Sequence, residues 1–257
     1  MLKYWLFNKM QALRHRLGLR TFNPAGQFGH SDPTGKSELS HVFASHVGRL
    51  AHKWDHYLDI YDKHLADRRG KPFRMLEIGV FHGGSLELWR RYFGDEAILF
   101  GIDINPDCAD RVDPPNQVRI GSQDDPIFLR KTVTEMGGLD VVLDDGSHVG
   151  RHQWASFRTL WPLLPVGGLY IIEDTHSSYW PSHEGGYGRR NSGIGLAKQL
   201  IDDQHGWYHD KGHVLASPNE FGAIHVYDSM VFIEKANRPP PVETLRPYAA
   251  VAEHFGG

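Results

Sequence analysis

The sequence is poor in cysteine, in long apolar runs and in any excess of charge. Cys108 is the only cysteine among 257 residues, which excludes a disulfide framework and a cysteine-based zinc site. A lone thiol suits a reducing, cytoplasmic setting. No run approaches the ~18 consecutive apolar residues that mark a membrane-spanning helix, so no integral membrane segment is expected. The formal net charge of −3 gives no electrostatic case for nucleic acid or an anionic membrane as a partner. The opening stretch MLKYWLFNKMQALRHRLGLR is basic, but Lys9 breaks its apolar run and no small-residue cleavage site follows. It is therefore not read as a signal peptide.

That opening stretch instead has the spacing of a basic amphipathic helix. Such a helix fits a membrane surface or a partner, or it is an arm packed on its own domain or on a second subunit. TFNPAGQFGHSDPTGK (21–36) is rich in Gly, Pro and Ser and reads as a loop. Helical patterns follow near 37–50 and 54–67, and ANRPPPVETLRP (236–247) reads as an extended tail. The chain thus divides into a helical N-terminal extension (1–70), a central domain (71–237) and a proline-rich tail (238–257).

The central part alternates. FRMLEIGV, AILFGIDI, NQVRIG, LDVVLDD and GGLYIIED have the short, continuous apolar character of strands buried on both faces. GSLELWRRYF, PIFLRKTVTEM and HQWASFRTLWPLL have helical spacing, and GAIHVYDSMVFIEK reads as two strands joined by a tight turn. Strands alternating with helices predict an α/β fold: a doubly wound, mostly parallel, seven-stranded Rossmann-like sheet with an antiparallel edge hairpin.

In such sheets ligands lie beyond the carboxyl ends of the strands. Those ends carry Glu77 and Gly79, then Asp103, then Ser122, Gln123 and Asp124, then Asp144, Asp145 and His148, and last Glu173, Asp174 and His176. The strand bodies are apolar, so the polar groups are gathered on one rim. The first loop, EIGVFHGGS, has Gly79 and Gly84 where a dinucleotide fingerprint has its first and third glycines, but Phe81 at the second. A side chain there obstructs a pyrophosphate. Asp103 stands 24 residues after Gly79, near the ~20 expected of an acid that binds ribose hydroxyls. The rim is therefore built for an adenosine with a ribose and no pyrophosphate.

The order Glu77-x-Gly79, Asp103, Asp144 resembles class I S-adenosylmethionine-dependent methyltransferases over roughly 70–235. The resemblance implies S-adenosylmethionine as cofactor. Glu77 and Gly79 would flank its methionine part, Asp103 would hold the ribose, and Ser122, Gln123 and Asp124 would line the adenine. Phe81, Ser85 and Asp144 fall on the same cofactor side.

Asp145 ends one strand, and Glu173 and Asp174 end the next, 28 and 29 residues later. Three carboxylates brought together repel unless a cation neutralises them. All-oxygen ligands select a hard one: Mg²⁺, Mn²⁺ or Ca²⁺. His148, three residues beyond Asp145, is placed to remove a hydroxyl proton near neutral pH. His152 makes an H-x-x-x-H spacing with it, but no third nitrogen or sulfur ligand for zinc is evident.

The pair DDGSH and IIEDTH resembles the metal-dependent sugar O-methyltransferases of the mycinamicin 2''-O-methyltransferase type, whose pattern has alanine where Gly146 stands. By that resemblance Asp145, Glu173 and Asp174 hold Mg²⁺ (or Mn²⁺) and His148 is the general base. A Lys…His-Tyr segment of that family lies near the cofactor, which points to Lys53, His56 and Tyr57 on one helix face. The short extension and overall length are closer to enzymes that 1-O-methylate 3-O-methylmannose polysaccharide precursors. Family habit implies a homodimer or larger homo-oligomer. In THSSYWPSHEGGYGRRN (175–191), Tyr179, Trp180 and Tyr187 are candidates to stack on a sugar, with His176 as a further substrate contact. The rivals are a catechol or other phenol O-methyltransferase, an NAD-dependent oxidoreductase and a module that only binds adenosine compounds. Phe81 opposes the second, and the acids around His148 oppose the third.

Overall fold

A computed structural model describes residues 35–211, 214 and 218–244. The expected basic helix at the start of the chain and the end of the proline-rich tail lie outside them. Two helices, α1 (Glu38–Ala44) and α2 (Asp55–Leu65), precede strand β1 (Phe73–Ile78). Then follow α3 (Gly84–Phe93), β2 (Ala97–Asp103), β3 (Gln117–Ile120), α4 (Pro126–Met136), β4 (Val141–Asp144) and α5 (Gly150–Leu160). The chain continues through β5 (Leu169–Ile172), α6 (Gly193–Gln204) and the pair β6 (Phe221–Tyr227) and β7 (Met230–Lys235).

The seven strands form one sheet in the order β3-β2-β1-β4-β5-β7-β6. β1 to β5 pair in parallel, whereas β7 runs antiparallel to β5 and β6 antiparallel to β7. The expected Rossmann-like sheet and edge hairpin are both present. Strand alternation sends successive side chains to opposite layers. Met75, Leu99, Val141, Leu143, Ile171 and Phe232 face a core shared with Tyr57, Tyr61, Trp89 and Phe93 of α2 and α3. Leu76, Ile102, Val142, Tyr170, Ile172 and Ile233 face the other, under α4, α5 and α6. Among the described residues no helix is long and apolar enough to cross a membrane.

Local chemistry sets the helix starts. Asp125 caps α4, its side chain accepting from the backbone N–H groups of Ile127 and Phe128, with Pro126 in the first turn. Ser192 caps α6 through Gly195 N–H.

Two expectations are corrected here. The first helical pattern was read as 37–50, but α1 ends at Ala44 and residues 45–54 run irregularly to the rim of the sheet. Lys53 therefore precedes α2 instead of sharing a helix face with His56 and Tyr57. Sequence reading also missed α6 altogether: GIGLAKQLIDDQ opens with two glycines, which mask its helical spacing.

Candidate active site

Beyond the carboxyl ends of β1, β2, β4 and β5 lies a cavity of about 450 Å³. One wall is the turn after β1. Gly79 has φ +96°, and a Cβ on it would stand 2.2 Å from the Asp145 carbonyl oxygen, so only glycine lets the ends of β1 and β4 meet. Asp103 organises this turn: one of its oxygens accepts from Val80 N–H at 2.9 Å and Phe81 N–H at 3.1 Å. The other accepts from Asn105 N–H at 2.8 Å. Burial alone would raise the pKa of Asp103, but these backbone donors outweigh it and hold the carboxyl below its ordinary value. Phe81, with φ 52°, is 60 % exposed at the mouth. Ser85, Ser122 and Gln123 also line the cavity.

Three expected cofactor residues, Glu77, Asp144 and Asp124, do not line the cavity. Glu77 is fully buried and accepts from Ser85 Oγ (2.9 Å) and Trp89 Nε1 (3.3 Å) of α3. Burial pushes its pKa up to about 7 against the pull of Lys53. Asp144 is equally buried and receives three donors: Gln123 Nε2 (3.0 Å), Ser156 Oγ (2.6 Å) and the Tyr170 hydroxyl (2.9 Å). Asp124 accepts from Ser122 Oγ and stands 3.5 Å from His152 Nε2.

The opposite wall is acidic. Register aligns Asp144 of β4 with Ile172 of β5, so the residues that follow come together. Asp145, His148 and Asp174 each bring a ligand atom within 4.8 Å of the others. His148 Nε2 stands 3.8 Å from both Asp145 Oδ1 and Asp174 Oδ2. The backbones of His148 (φ 54°) and Asp174 (φ 54°) are left-handed, a conformation that costs a non-glycine residue roughly 1–3 kcal/mol and is concentrated at functional sites. His148 Nδ1 is buried without a hydrogen-bond partner.

Glu173, the third acid, is nearly buried and held from behind. Lys53 Nζ lies 2.7 Å from Glu173 Oε2 and 2.5 Å from Asp145 Oδ2, and its side chain is only 1 % exposed. The Tyr61 hydroxyl also donates to Glu173, and the Tyr57 hydroxyl donates to Asp174 at 2.7 Å. Burial and the Asp145 charge push the Glu173 pKa well up, against the pull of Lys53. Burial alone would strip the proton from Lys53, but Asp145, Glu173 and Glu77 more than compensate and keep it charged.

Lys53 and Tyr57, expected beside the cofactor, are thus fastened to the acidic wall. His176 lies just outside it: Nδ1 meets Ser229 Oγ, and its ring stacks on Trp54 (4.6 Å, 15°) and on the edge of Trp180 (4.7 Å). Tyr179 lines a separate, smaller cavity of about 240 Å³, and Tyr187 is 96 % exposed. Sequence reading did not single out Trp54 or Tyr61. Tyr61 follows Tyr57 by four residues, which places both on one face of α2; that spacing was the available signal. His152, set aside as a zinc ligand, lines the cavity with Nδ1 2.7 Å from Ser147 Oγ.

The donor set suits a small hard cation. Asp145 and Asp174 bring carboxylate oxygens together beside His148, with the Glu173 carboxyl next to Asp145 on Lys53, an oxygen-rich set of the kind a hard cation takes.

Residues 76–175 match the family described as "Methyltransferase domain". The 8-demethyl-8-(2-methoxy-alpha-L-rhamnosyl)-tetracenomycin-C 3'-O-methyltransferase of Streptomyces olivaceus is 37% identical over 212 residues, 77% of this chain and 54% of that protein. The mycinamicin VI 2''-O-methyltransferase of Micromonospora griseorubida is 35% identical over 198 residues, 68% of this chain and 47% of that protein. The solved structure of MycE methyltransferase from the mycinamycin biosynthetic pathway, in complex with Mg, SAH and mycinamycin VI, superposes with a TM-score of 0.69 at 31% identity. That match covers 85% of this chain and 58% of the other. The chain spans about half the length of these relatives. With this fold and this matched domain, the chain belongs to the class I S-adenosylmethionine-dependent methyltransferases, and the longer proteins it is similar to are sugar O-methyltransferases.

Proposed function

We propose that this protein moves the methyl group of S-adenosylmethionine onto a saccharide hydroxyl, with a divalent ion, Mg²⁺ or Mn²⁺, beside the acceptor. The observation that carries this reading is the pairing of two walls in one cavity. The Gly79 turn and Asp103 form one, and Asp145, His148, Glu173 and Asp174 form the other. The relatives that methylate sugars, and the Mg and SAH bound in MycE, support it.

When bound, the cofactor supplies an electrophilic methyl group and the metal supplies positive charge near the acceptor oxygen. Asp103 would accept from the ribose hydroxyls, with its carboxylate kept ionised by the three backbone donors already described. Asp145, Glu173 and Asp174 would hold the ion, and Lys53, Tyr61 and Tyr57 fix the orientation of those carboxylates. His148 Nε2 would take the proton of the acceptor hydroxyl and so make its oxygen a nucleophile. Holding both reactants in one cavity supplies much of the rate, up to ~7–11 kcal/mol in favourable cases.

The test is calorimetric binding of S-adenosylhomocysteine with Mg²⁺ or chelator, then methyl transfer to rhamnosides, mannosides with a free 1-OH, and catechols. Binding together with chelator-sensitive transfer to a sugar is expected. His148→Ala should keep cofactor binding and lose transfer by about 10²–10⁴-fold. Transfer to catechols alone would move the substrate class, and an absence of cofactor binding would end the reading.

A further inference from the structure

Among the described residues only two groups of His, Cys, Asp and Glu converge as metal ligands do. One is on the acidic wall. The other is His64, His225 and Glu234, whose ligand atoms lie within 4.8 Å of one another. None of the three lines the catalytic cavity.

Three elements deliver them. His225 on β6 pairs with Phe232 on β7 across the antiparallel ladder. Glu234 follows Phe232 by two residues, so alternation puts it on the same face, the one covered by α2. His64 comes from the last turn of α2, its ring stacked on Phe232 at 4.3 Å and 19°. The two imidazole rings are 4.6 Å apart, and His225 Nε2 is 2.8 Å from Glu234 Oε1. The Tyr227 hydroxyl stands 2.9 Å from His64 Nε2. All three side chains are half-buried, which leaves an approach from solvent.

We propose that His64, His225 and Glu234 form a second metal site, selective for Zn²⁺ and the later first-row ions over Mg²⁺. Two imidazole nitrogens and one carboxylate are a donor set that zinc takes in tetrahedral geometry with one position left open. Imidazole nitrogen also ranks these ions above magnesium, which prefers oxygen alone. The open position falls to water or to the Tyr227 hydroxyl, which gives up its bond to His64 when the ion enters. The site has a consequence for the distant cavity. α2 carries Tyr57 and Tyr61, which hold Asp174 and Glu173. The β6–β7 turn carries Ser229, which holds His176. An ion at the second site pins the end of α2 to that hairpin, and so braces the helix that supports the acidic wall and the turn that holds His176.

The experiment uses the full chain in saturating Mg²⁺, titrated with Zn²⁺ by calorimetry and with Co²⁺ by visible absorption. The wild-type chain should take up one zinc equivalent more than His225→Ala and Glu234→Gln, with affinity at that step at least tenfold lower in both variants. Co²⁺ should give tetrahedral absorption bands that both variants lack. Each variant's S-adenosylhomocysteine binding reports that it is folded, and Glu234→Gln preserves the shape of the side chain. A zinc stoichiometry and affinity equal in the wild-type chain and both variants, or no uptake by the wild-type chain, would overturn the proposal.

Discussion

Lys53 carries one positive charge into a wall of three carboxylates. Its ammonium is 1 % exposed and within 2.7 Å of two of them. Removing one partner of such a buried pair leaves the other charges uncompensated, at a cost of roughly 3–5 kcal/mol. The same charge repels any divalent ion arriving at Asp145 and Glu173. Lys53→Met should therefore lower the thermal midpoint in chelator and enlarge the stabilisation given by Mg²⁺, because the ion replaces the missing charge. Differential scanning calorimetry at several Mg²⁺ concentrations reads both effects. A variant that gains nothing from Mg²⁺ would show that the ion depends on Lys53 or binds elsewhere. Residue identity alone did not reveal this role. A lysine in an irregular segment has no periodicity to follow, and its partners are 92 and 120 residues away.

At the scale of elements, the turn after β4 shows how closely a site is built on its supports. Gln123 bridges it: Nε2 donates to buried Asp144, and Oε1 accepts from Ser147 N–H at 2.8 Å. Gly146 lies under that bridge. A Cβ there would stand 2.4 Å from Gln123 Oε1 and 2.8 Å from Ile78 Cγ2. Alanine at this position, the residue of the macrolide-type pattern, is thus not a neutral exchange in this chain. Gly146→Ala should cost about 1–3 kcal/mol as overpacking and weaken cofactor binding, because Gln123 must leave the cavity wall. Chemical denaturation and calorimetric titration with S-adenosylhomocysteine check the two effects. The rim itself was legible because strands buried on both faces are continuous apolar runs, and their polar ends stand out. β1, β2, β4 and β5 fall where those runs were read, and so does their gathering of Asp103, Asp145, His148, Glu173 and Asp174. The layers behind the rim were not legible. Glu77 and Asp144 read as wall residues, but their donors come from α3, α4's approach, α5 and β5, a packing that strand order alone does not give.

For the whole molecule, the buried acids set how stability follows pH. Burial raises the pKa of Glu77 from 4.5 to about 7 and that of Glu173 well above its ordinary value. Over that interval the folded chain holds a proton that the unfolded chain has released, so stability falls as pH rises through it. Half-buried histidines act oppositely at lower pH. Burial brings His64 down to about 4 and also lowers His176 and His183, so their contribution is lost as pH falls below the unfolded value near 6.5. Above pH 7 the histidine contribution is largely complete, and the remaining decline belongs to the buried acids. Mg²⁺ favours the ionised form of Glu173 that burial disfavours, so in thermal unfolding it should stabilise the chain more at pH 8 than at pH 6. Glu77→Gln separates the two acids. Its neutral amide imitates the protonated carboxyl, so the variant should match the wild-type chain near pH 4 and exceed it at pH 8. The shift at Glu77 corresponds to a gain of up to about 3 kcal/mol. Urea unfolding at both pH values measures it. If the two chains stayed parallel across that range, Glu77 would ionise at the same pH in the folded and unfolded states, and the slope would rest on the other buried acids, Glu173 and Asp144.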